Sequence, residues 1–340
     1  MKKRIAIVGW YHKQNYGDDL LQESFINILS GHFLVFWGYT PDARTLNTFD
    51  YVIFGGGSLW PIQTRIIEKI LPRLKVPFAL VGISARQAID RETTYRVLES
   101  ADLVILRDQA SVSMLHDHPK IIVAPDLTWY IPHPVLQSPP TTSIIGLNLR
   151  QKPTLPDWKP DQIIATVQEI ATETRLISFY NGHGWERNNP MDIEMMRAHG
   201  ATGDLLSAEA FYQQVRLIVG MRFHALVLAT QSAIPFVSFA YHPKITALHA
   251  ELGLDQYCVP LDDMAQLRHA VHDLAHNYET IRAQLLDNRQ MQIEQAQDRY
   301  QILRDRIEQL VVSRSPYPKS LQPLVAVARQ VRDSFVKITG

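Results

Sequence analysis

Short, almost wholly apolar runs rich in β-branched residues recur along this chain, each separated from the next by an amphipathic stretch. RIAIVG, HFLVFWGY, YVIFGGG, FALVGISA, DLVILRD and KIIVAPD fall in the first 126 residues, with DLLQESFINILS and IQTRIIEKILPRL among the segments between them. Strands buried on both faces lose the polar alternation, and parallel strands need long crossovers. The pattern therefore predicts an α/β chain with doubly wound parallel sheets. Residues 130–143, YIPHPVLQSPPTTS, break the alternation with prolines that remove backbone donors and favour extended chain. It resumes with SIIGLNLR, TRLISFYN, VRLIVG, PFVSFA and QYCVPL. Two Rossmann-like halves facing across a ligand cleft are expected, over residues 1–135 and 136–263, with a helical segment over 264–340.

Composition narrows the function. The 340 residues are 46% hydrophobic, enough for two cores, while Lys+Arg and Asp+Glu both total 34. Such neutrality argues against a nucleic-acid partner, which selects a basic excess. Cys258 is the one cysteine, so a disulfide framework or thiolate zinc site is not available, and no His/carboxylate spacing suits a metal. The apolar run at residues 5–10 is too short for a signal core, and no segment has the length of a membrane span, so a cytoplasmic chain is expected. The final helix-like stretch puts Leu324, Val327, Val331, Phe335 and Ile338 on one face beside Arg329, Arg332 and Lys337. It suits either docking on the protein body or peripheral contact with an anionic membrane.

Several strands end in residues with chemical potential. IAIVGWYHKQNYGDDLL is a strand, a polar loop and a helix beginning near Asp18, where Asn15 and Gly17 suit a turn and Asp18 or Asp19 a cap. Gly55, Gly56 and Gly57, followed by Ser58, suit either a tight strand-to-helix turn or close backbone approach to an anion. They match neither a Walker A loop nor G-x-G-x-x-G. Arg107 and Asp126 end two further strands, with Asp108 placed as a helix cap. In the second half, Arg150 follows LNL, His183 lies in an aromatic, polar stretch, and Tyr241 and Lys244 follow PFVSFA.

GMRFHALVLATQ holds the most telling pair. LIVG predicts a strand and the next residues a buried helix, with Arg222 and His224 in its first turn. The free N–H groups there already favour an anion, so a guanidinium adds little to stability unless a carboxylate or phosphate is gripped beside it. His224 can act as general acid or base. The structural alternative is that Arg222 pairs with a core Asp and His224 bonds a carbonyl.

Taken in order, NYGDDLL, FGGGSLW, LRDQAS, APDLTW and GMRFHALVLATQSAIPFVSFAYHPK resemble the polysaccharide pyruvyl transferase family over residues 5–250. The M-R-x-H-A segment, followed by a proline-led strand and Tyr-x-x-Lys, is the most specific part. The resemblance implies a glycosyltransferase-B-like architecture and transfer of a pyruvyl group from phosphoenolpyruvate to a sugar or lipid-linked glycan as a cyclic ketal, with no other cofactor. By the family pattern Arg222 binds the donor's carboxylate or phosphate, His224 is an acid/base or a phosphate contact, and Asp18, the glycine run and Asp126 shape the cleft; His224 and Asp18 are the candidate catalytic residues, with Arg150, Lys244 and Tyr241 as further candidates for holding the donor. Asn15, Gly17, Gly55, Gly56, Gly57, Ser58, Arg107, Asp126 and His183 contact the acceptor or shape the cleft. A nucleotide-sugar glycosyltransferase of the same architecture, or a non-catalytic glycan-binding protein, would share the fold.

Overall fold

A computed structural model describes residues 2–85, 87–137, 140–141, 143–151, 158–181 and 191–310. His183 and the basic C-terminal stretch lie outside the described residues. The described residues form two compact units: those within 1–12, 18–130 and 295–310 make the first, those within 13–17 and 131–294 the second. The short segment 13–17 thus belongs with the second unit, although the order of the sequence places it in the first half.

The first unit holds a six-stranded parallel sheet: β1 (Arg4–Val8), β2 (Phe33–Trp37), β3 (Tyr51–Trp60), β4 (Phe78–Ala85), β5 (Leu103–Leu106) and β6 (Ile121–Val123). Their spatial order is β2-β1-β3-β4-β5-β6. Helices α1 (Tyr16–Ile28), α2 (Ala43–Leu46), α3 (Ile62–Ile70), α4 (Arg91–Ser100) and α5 (Gln109–Met114) make the crossovers. The central strands are buried along nearly their whole length, which is why they are written as unbroken apolar runs. Val8, Phe54, Leu80, Val104 and Leu106 fill one core with Phe49, Leu98 and Leu115.

The second unit repeats the plan with β7 (Ile144–Asn148), β8 (Glu173–Ile177), β9 (Asp204–Leu206), β10 (Leu217–Gly220), β11 (Phe236–Phe239) and β12 (Cys258–Val259), ordered β12-β11-β10-β7-β8-β9. Its helices are α6 (Pro160–Ile170), α7 (Asp192–Ala198), α8 (Phe223–Gln231), α9 (Pro243–Leu252) and α10 (Met264–His276). The long α11 (Tyr278–Glu308) contributes to both units, the second up to Glu294 and the first from Gln295. In the second unit Arg282 and Arg289 donate to the carbonyls of Leu136 and Gln231, each at 2.6 Å. In the first, Tyr300 donates to the Pro125 carbonyl at 2.7 Å and Arg306 pairs with Asp102.

Two local expectations change. The triple glycine does not turn the chain: Gly55, Gly56 and Gly57 lie inside the ten-residue β3, which runs on to Trp60. Glycine is required there because a Cβ on Gly55 would stand 2.7 Å from both the Phe25 ring and the Val81 carbonyl oxygen, while Gly56 and Gly57 have φ of 78° and 93°. Asp18 does not cap α1. The helix begins two residues earlier, and the Asn15 side chain accepts from Gly17 N at 3.2 Å, leaving Asp18 and Asp19 in the first turn. Asp108 does cap α5, accepting from Ser111 N at 2.8 Å.

Candidate active site

In the second unit the chemistry gathers at the carboxyl ends of four adjacent strands, β11, β10, β7 and β8, where ligands bind in doubly wound sheets. Arg222 follows β10. It is the residue just before α8 rather than part of its first turn, with extended backbone (φ −78°, ψ 127°). Its N–H donates to Asn148 Oδ1 at 3.1 Å, and Asn148 Nδ2 donates to the Ile177 carbonyl at 2.8 Å, so one side chain ties the ends of β7, β8 and β10 together.

The Arg222 guanidinium forms a two-pronged pair with Asp192, the first residue of α7: Nε donates to Oδ2 at 2.6 Å and Nη2 to Oδ1. Asp192 is fully buried, and its Oδ2 also accepts from the backbone N–H groups of Phe179 (3.0 Å) and Tyr180 (3.1 Å). A buried carboxylate is tolerable only when its lone pairs are occupied in this way. The Tyr180 ring lies 5.4 Å from the Arg222 guanidinium carbon. Arg222 therefore does pair with a core aspartate, 30 residues away in sequence.

Arg150, two residues beyond β7, has no such carboxylate. Among the described residues it makes no ion pair, and its buried Nε has no hydrogen-bond partner. Burial, and then the neighbouring Arg222 charge, hold its pKa below the usual guanidinium value, with Tyr241 and Asp192 opposing. Tyr241, after β11, donates to the Met221 carbonyl at 2.6 Å, and burial pushes its phenol up. Lys244 lies in the first turn of α9 with Nζ 5.3 Å from the centre of the Phe223 ring. Two guanidinia and one carboxylate, at the end of α8 that carries free N–H groups, leave a positive surplus suited to an anion.

Segment 13–17 completes this cluster. Tyr16 N donates to the Phe179 carbonyl at 2.8 Å, Asn181 N donates to the Gln14 carbonyl at 2.9 Å, and Asn15 bridges Tyr180. Gly17 lies directly against the imidazole of His224, in the first turn of α8. An added Cβ would overlap His224 Nδ1 and stand 2.7 Å from Cγ and 3.0 Å from Cβ. The Asn-x-Gly and M-R-x-H segments, some 200 residues apart in sequence, thus meet through one glycine and one ring.

The first unit holds a second polar cluster at the carboxyl edge of β3 to β6. Arg107 donates from Nη1 to Asp126 Oδ2 (2.8 Å), from Nη2 to Ser58 Oγ (2.9 Å) and Ser84 Oγ (3.0 Å), and from Nε to Ser84 Oγ (3.2 Å). Asp126 Oδ1 accepts from Thr128 N and Oγ1 at 3.0 and 2.8 Å. Arg107 and Asp126 are buried, so this network braces four strand ends from within. Asp18 is also buried, and a Cβ on Gly57 would lie 3.7 Å from its Oδ1; the burial of Tyr11, and then the Asp18 charge, push the Tyr11 phenol up. Tyr11 donates to the Gly55 carbonyl at 2.8 Å, holding the glycine strand in place.

Arg222, His224, Arg150, Tyr241 and Lys244, candidates from the sequence, come to one sheet edge in the structure; Asn148 and Tyr180 were not candidates, and the sequence shows Asp192 only as an acidic residue of the stretch after Tyr180. Asp192 stands after NNPM like an ordinary helix start, and nothing local separates it from a surface cap. Asn148 offers a better signal, being polar at the end of the apolar strand IIGL. Among the described residues, no helix is long and apolar enough to cross a membrane, and no group of three or more His, Cys, Asp or Glu is placed to hold a metal ion.

Comparison with solved structures returns the same architecture. A glycosyltransferase from Rickettsia africae gives a TM-score of 0.56 at 10% identity, covering 91% of this chain and 100% of that one. A putative UDP-N-acetylglucosamine 2-epimerase from Listeria monocytogenes gives 0.57 at 10% identity, over 94% and 100%. A structure of accessory secretory protein 1, 2 and 3 in Streptococcus pneumoniae gives 0.46 at 15% identity over 79% of this chain, which spans 56% of that one. The fold is of the glycosyltransferase-B type. A search of curated proteins found no significant match. A family model described as polysaccharide pyruvyl transferase matches residues 15–243, from the Asn15 loop to the start of α9. With well over half its length matched, the chain belongs to the polysaccharide pyruvyl transferase family.

Proposed function

We propose that the protein transfers a pyruvyl group from phosphoenolpyruvate to two hydroxyls of a sugar, forming a cyclic ketal and releasing phosphate. The observation that carries this reading is the pairing of Arg150 and Arg222 against a single carboxylate at the carboxyl edge of the second sheet. Phosphoenolpyruvate places a carboxylate and a phosphate close together, and two adjacent cations that repel each other until an anion arrives match that demand.

In this reading Arg150 and Lys244 hold the donor's anionic groups, while Arg222 is fixed by Asp192 and adds its positive charge. His224 protonates the methylene carbon, which makes the neighbouring carbon electron-poor. One sugar hydroxyl attacks that carbon, and a new C–O bond forms. The C–O bond to phosphate breaks with its electron pair on the phosphate oxygen, and the second hydroxyl closes the ketal. One hydroxyl proton restores the acid and the other leaves with phosphate. The guanidinia stabilise the departing negative charge.

The test is phosphate release from phosphoenolpyruvate across a panel of hexose glycosides, with the pyruvate ketal identified by mass spectrometry. Stabilisation by UDP- or GDP-sugars but not by phosphoenolpyruvate would overturn the reading.

A further inference from the structure

We propose that Asn148 is a positioning residue of the anion site: its side-chain amide holds in one register the strand ends that carry Arg150 and Arg222, and donor affinity depends on it through those two residues. The identity of the donor rests on the phosphoenolpyruvate reading above.

Asn148 ends β7 as the polar residue after IIGL, and it is fully buried. A buried amide costs free energy unless its donor and its acceptor are both used. Here each is matched to a backbone group of a different neighbour. On one side, β10 is paired with β7 up to Gly220 opposite Asn148, and Met221 N donates to the Asn148 carbonyl at 2.8 Å. Arg222 N then donates to the side-chain Oδ1 at 3.1 Å. On the other side, β8 is paired up to Leu176 opposite Leu147, and Nδ2 donates to the carbonyl of the next residue, Ile177, at 2.8 Å. The side chain thus adds one rung on each side of β7, just past the last paired residues.

Both rungs lead to charge. Arg150 lies two residues beyond Asn148 on the same strand end, and Arg222 itself supplies the N–H that Oδ1 accepts. Two and three residues past Ile177, the N–H groups of Phe179 and Tyr180 donate to Asp192, the carboxylate that holds the Arg222 guanidinium. A shift of β8 against β10 therefore strains the Asp192–Arg222 pair, and a shift of β7 moves Arg150 relative to it. The Arg150 and Arg222 charges oppose each other, so the brace between their strands has to be neutral. A carboxylate in its place would remove the donor that the Ile177 carbonyl needs and offset the positive surplus that attracts an anion. An asparagine amide offers a donor and an acceptor in one rigid plane without charge, which is what the two flanking strands require.

The experiment uses the full chain. Asn148→Ser removes the planar amide without adding charge, and Asn148→Asp keeps its shape while losing the donor to Ile177. Binding of phosphoenolpyruvate and of inorganic phosphate is measured by calorimetry, and the donor KM and kcat by phosphate release. The Arg150 Nε–H signal is followed by proton–nitrogen NMR, assigned by its loss in Arg150→Gln. Asn148→Ser should weaken binding of both anions about tenfold and raise the donor KM by the same factor, with kcat nearly unchanged. It should also shift or broaden the Arg150 signal before any anion is added. Asn148→Asp should weaken both anions further, because it adds a negative charge as well. A melting temperature that falls while anion binding, KM and the Arg150 signal stay as in the parent would make Asn148 a brace of the sheet alone and overturn the proposal. An unchanged donor KM in folded Asn148→Asp protein overturns it even if Asn148→Ser does not fold. A parent that binds inorganic phosphate but releases none from phosphoenolpyruvate counts instead against the pyruvyl reading, and weaker phosphate binding in the variants would still support the positioning role.

Discussion

Gly17→Ala puts the meeting of segment 13–17 with His224 to a quantitative test, because two effects of opposite sign act on it. The residue lies in the first turn of α1, and its backbone is not in the left-handed region, so alanine can take the same conformation. On helix propensity alone the substitution should stabilise by up to about 1 kcal/mol. Against this, the new Cβ would overlap His224 Nδ1 and lie 2.7 Å from Cγ, whereas ordinary carbon contacts begin near ~3.5 Å. The ring must move by roughly an ångström, and overpacking a buried site costs about 1–3 kcal/mol. The net expectation is a loss of up to ~2 kcal/mol in urea unfolding, since the packing term exceeds the propensity term. If His224 transfers the proton as proposed, a displacement of that size should also lower kcat for phosphate release by about 100-fold, with a smaller change in the donor KM. Adding His224→Ala removes the obstacle, so the double variant should be more stable than Gly17→Ala, with a coupling energy of about 1–2 kcal/mol. A Gly17→Ala protein that is more stable than the parent and equally active would refute the contact.

Asp192→Asn keeps the shape but removes the charge facing Arg222, and a buried pair broken from one side should lose about 3–5 kcal/mol in denaturant unfolding; a loss below ~1 kcal/mol would mean that Arg222 has another anion to rely on. Arg150→Gln should behave in the opposite way: its charge is disfavoured by burial and by Arg222, so stability should hold or rise, while thermal stabilisation by phosphoenolpyruvate disappears. His249 gives a pH signature. Fully buried, it donates from Nδ1 to the Leu254 carbonyl (2.9 Å) and accepts from Ser238 at Nε2 (2.5 Å), and burial lowers its pKa below the ordinary 6.5. The unfolded chain then takes up a proton that the folded one refuses, so stability should fall as pH drops below ~6.5 and level off past the depressed folded value. His249→Gln should flatten that slope in urea unfolding measured between pH 7 and 5 (about the range over which an ordinary histidine titrates), and an unchanged slope would remove His249 as its source.

The strands were legible because a parallel sheet covered on both faces leaves a direct mark, unbroken apolar runs such as YVIF and FALV. The helix starts were legible where a side chain caps its own helix, as Asp108 and Asp263 do. What stayed open was what depended on a distant neighbour. Three glycines at the end of an apolar run look like a turn, and only the Phe25 ring and the Val81 carbonyl, brought in from elsewhere in the chain, explain why β3 continues through them. The allegiance of residues 13–17 was equally hidden, since it is set by backbone bonds to Phe179 and Asn181.

The same limit changes which residue bears the functional argument. From sequence, Arg222 stood out because a guanidinium at the start of a buried helix has no local reason to be there. The structure supplies a reason: Asp192 neutralises it, accepts two backbone N–H groups besides, and makes Arg222 half of an internal pair. If Arg222 were the only cation present, that pair would be a complete account and an anionic ligand would be superfluous. Arg150 removes that option. Its Nε is buried without a hydrogen-bond partner, and the largest charged influence on it is the repulsive one of Arg222. Asp192 can balance only one unit of charge, and it is already engaged, so an incoming anion gains most where Arg150 lies. Donor affinity should therefore follow Arg150 more steeply than Arg222, and stability the reverse.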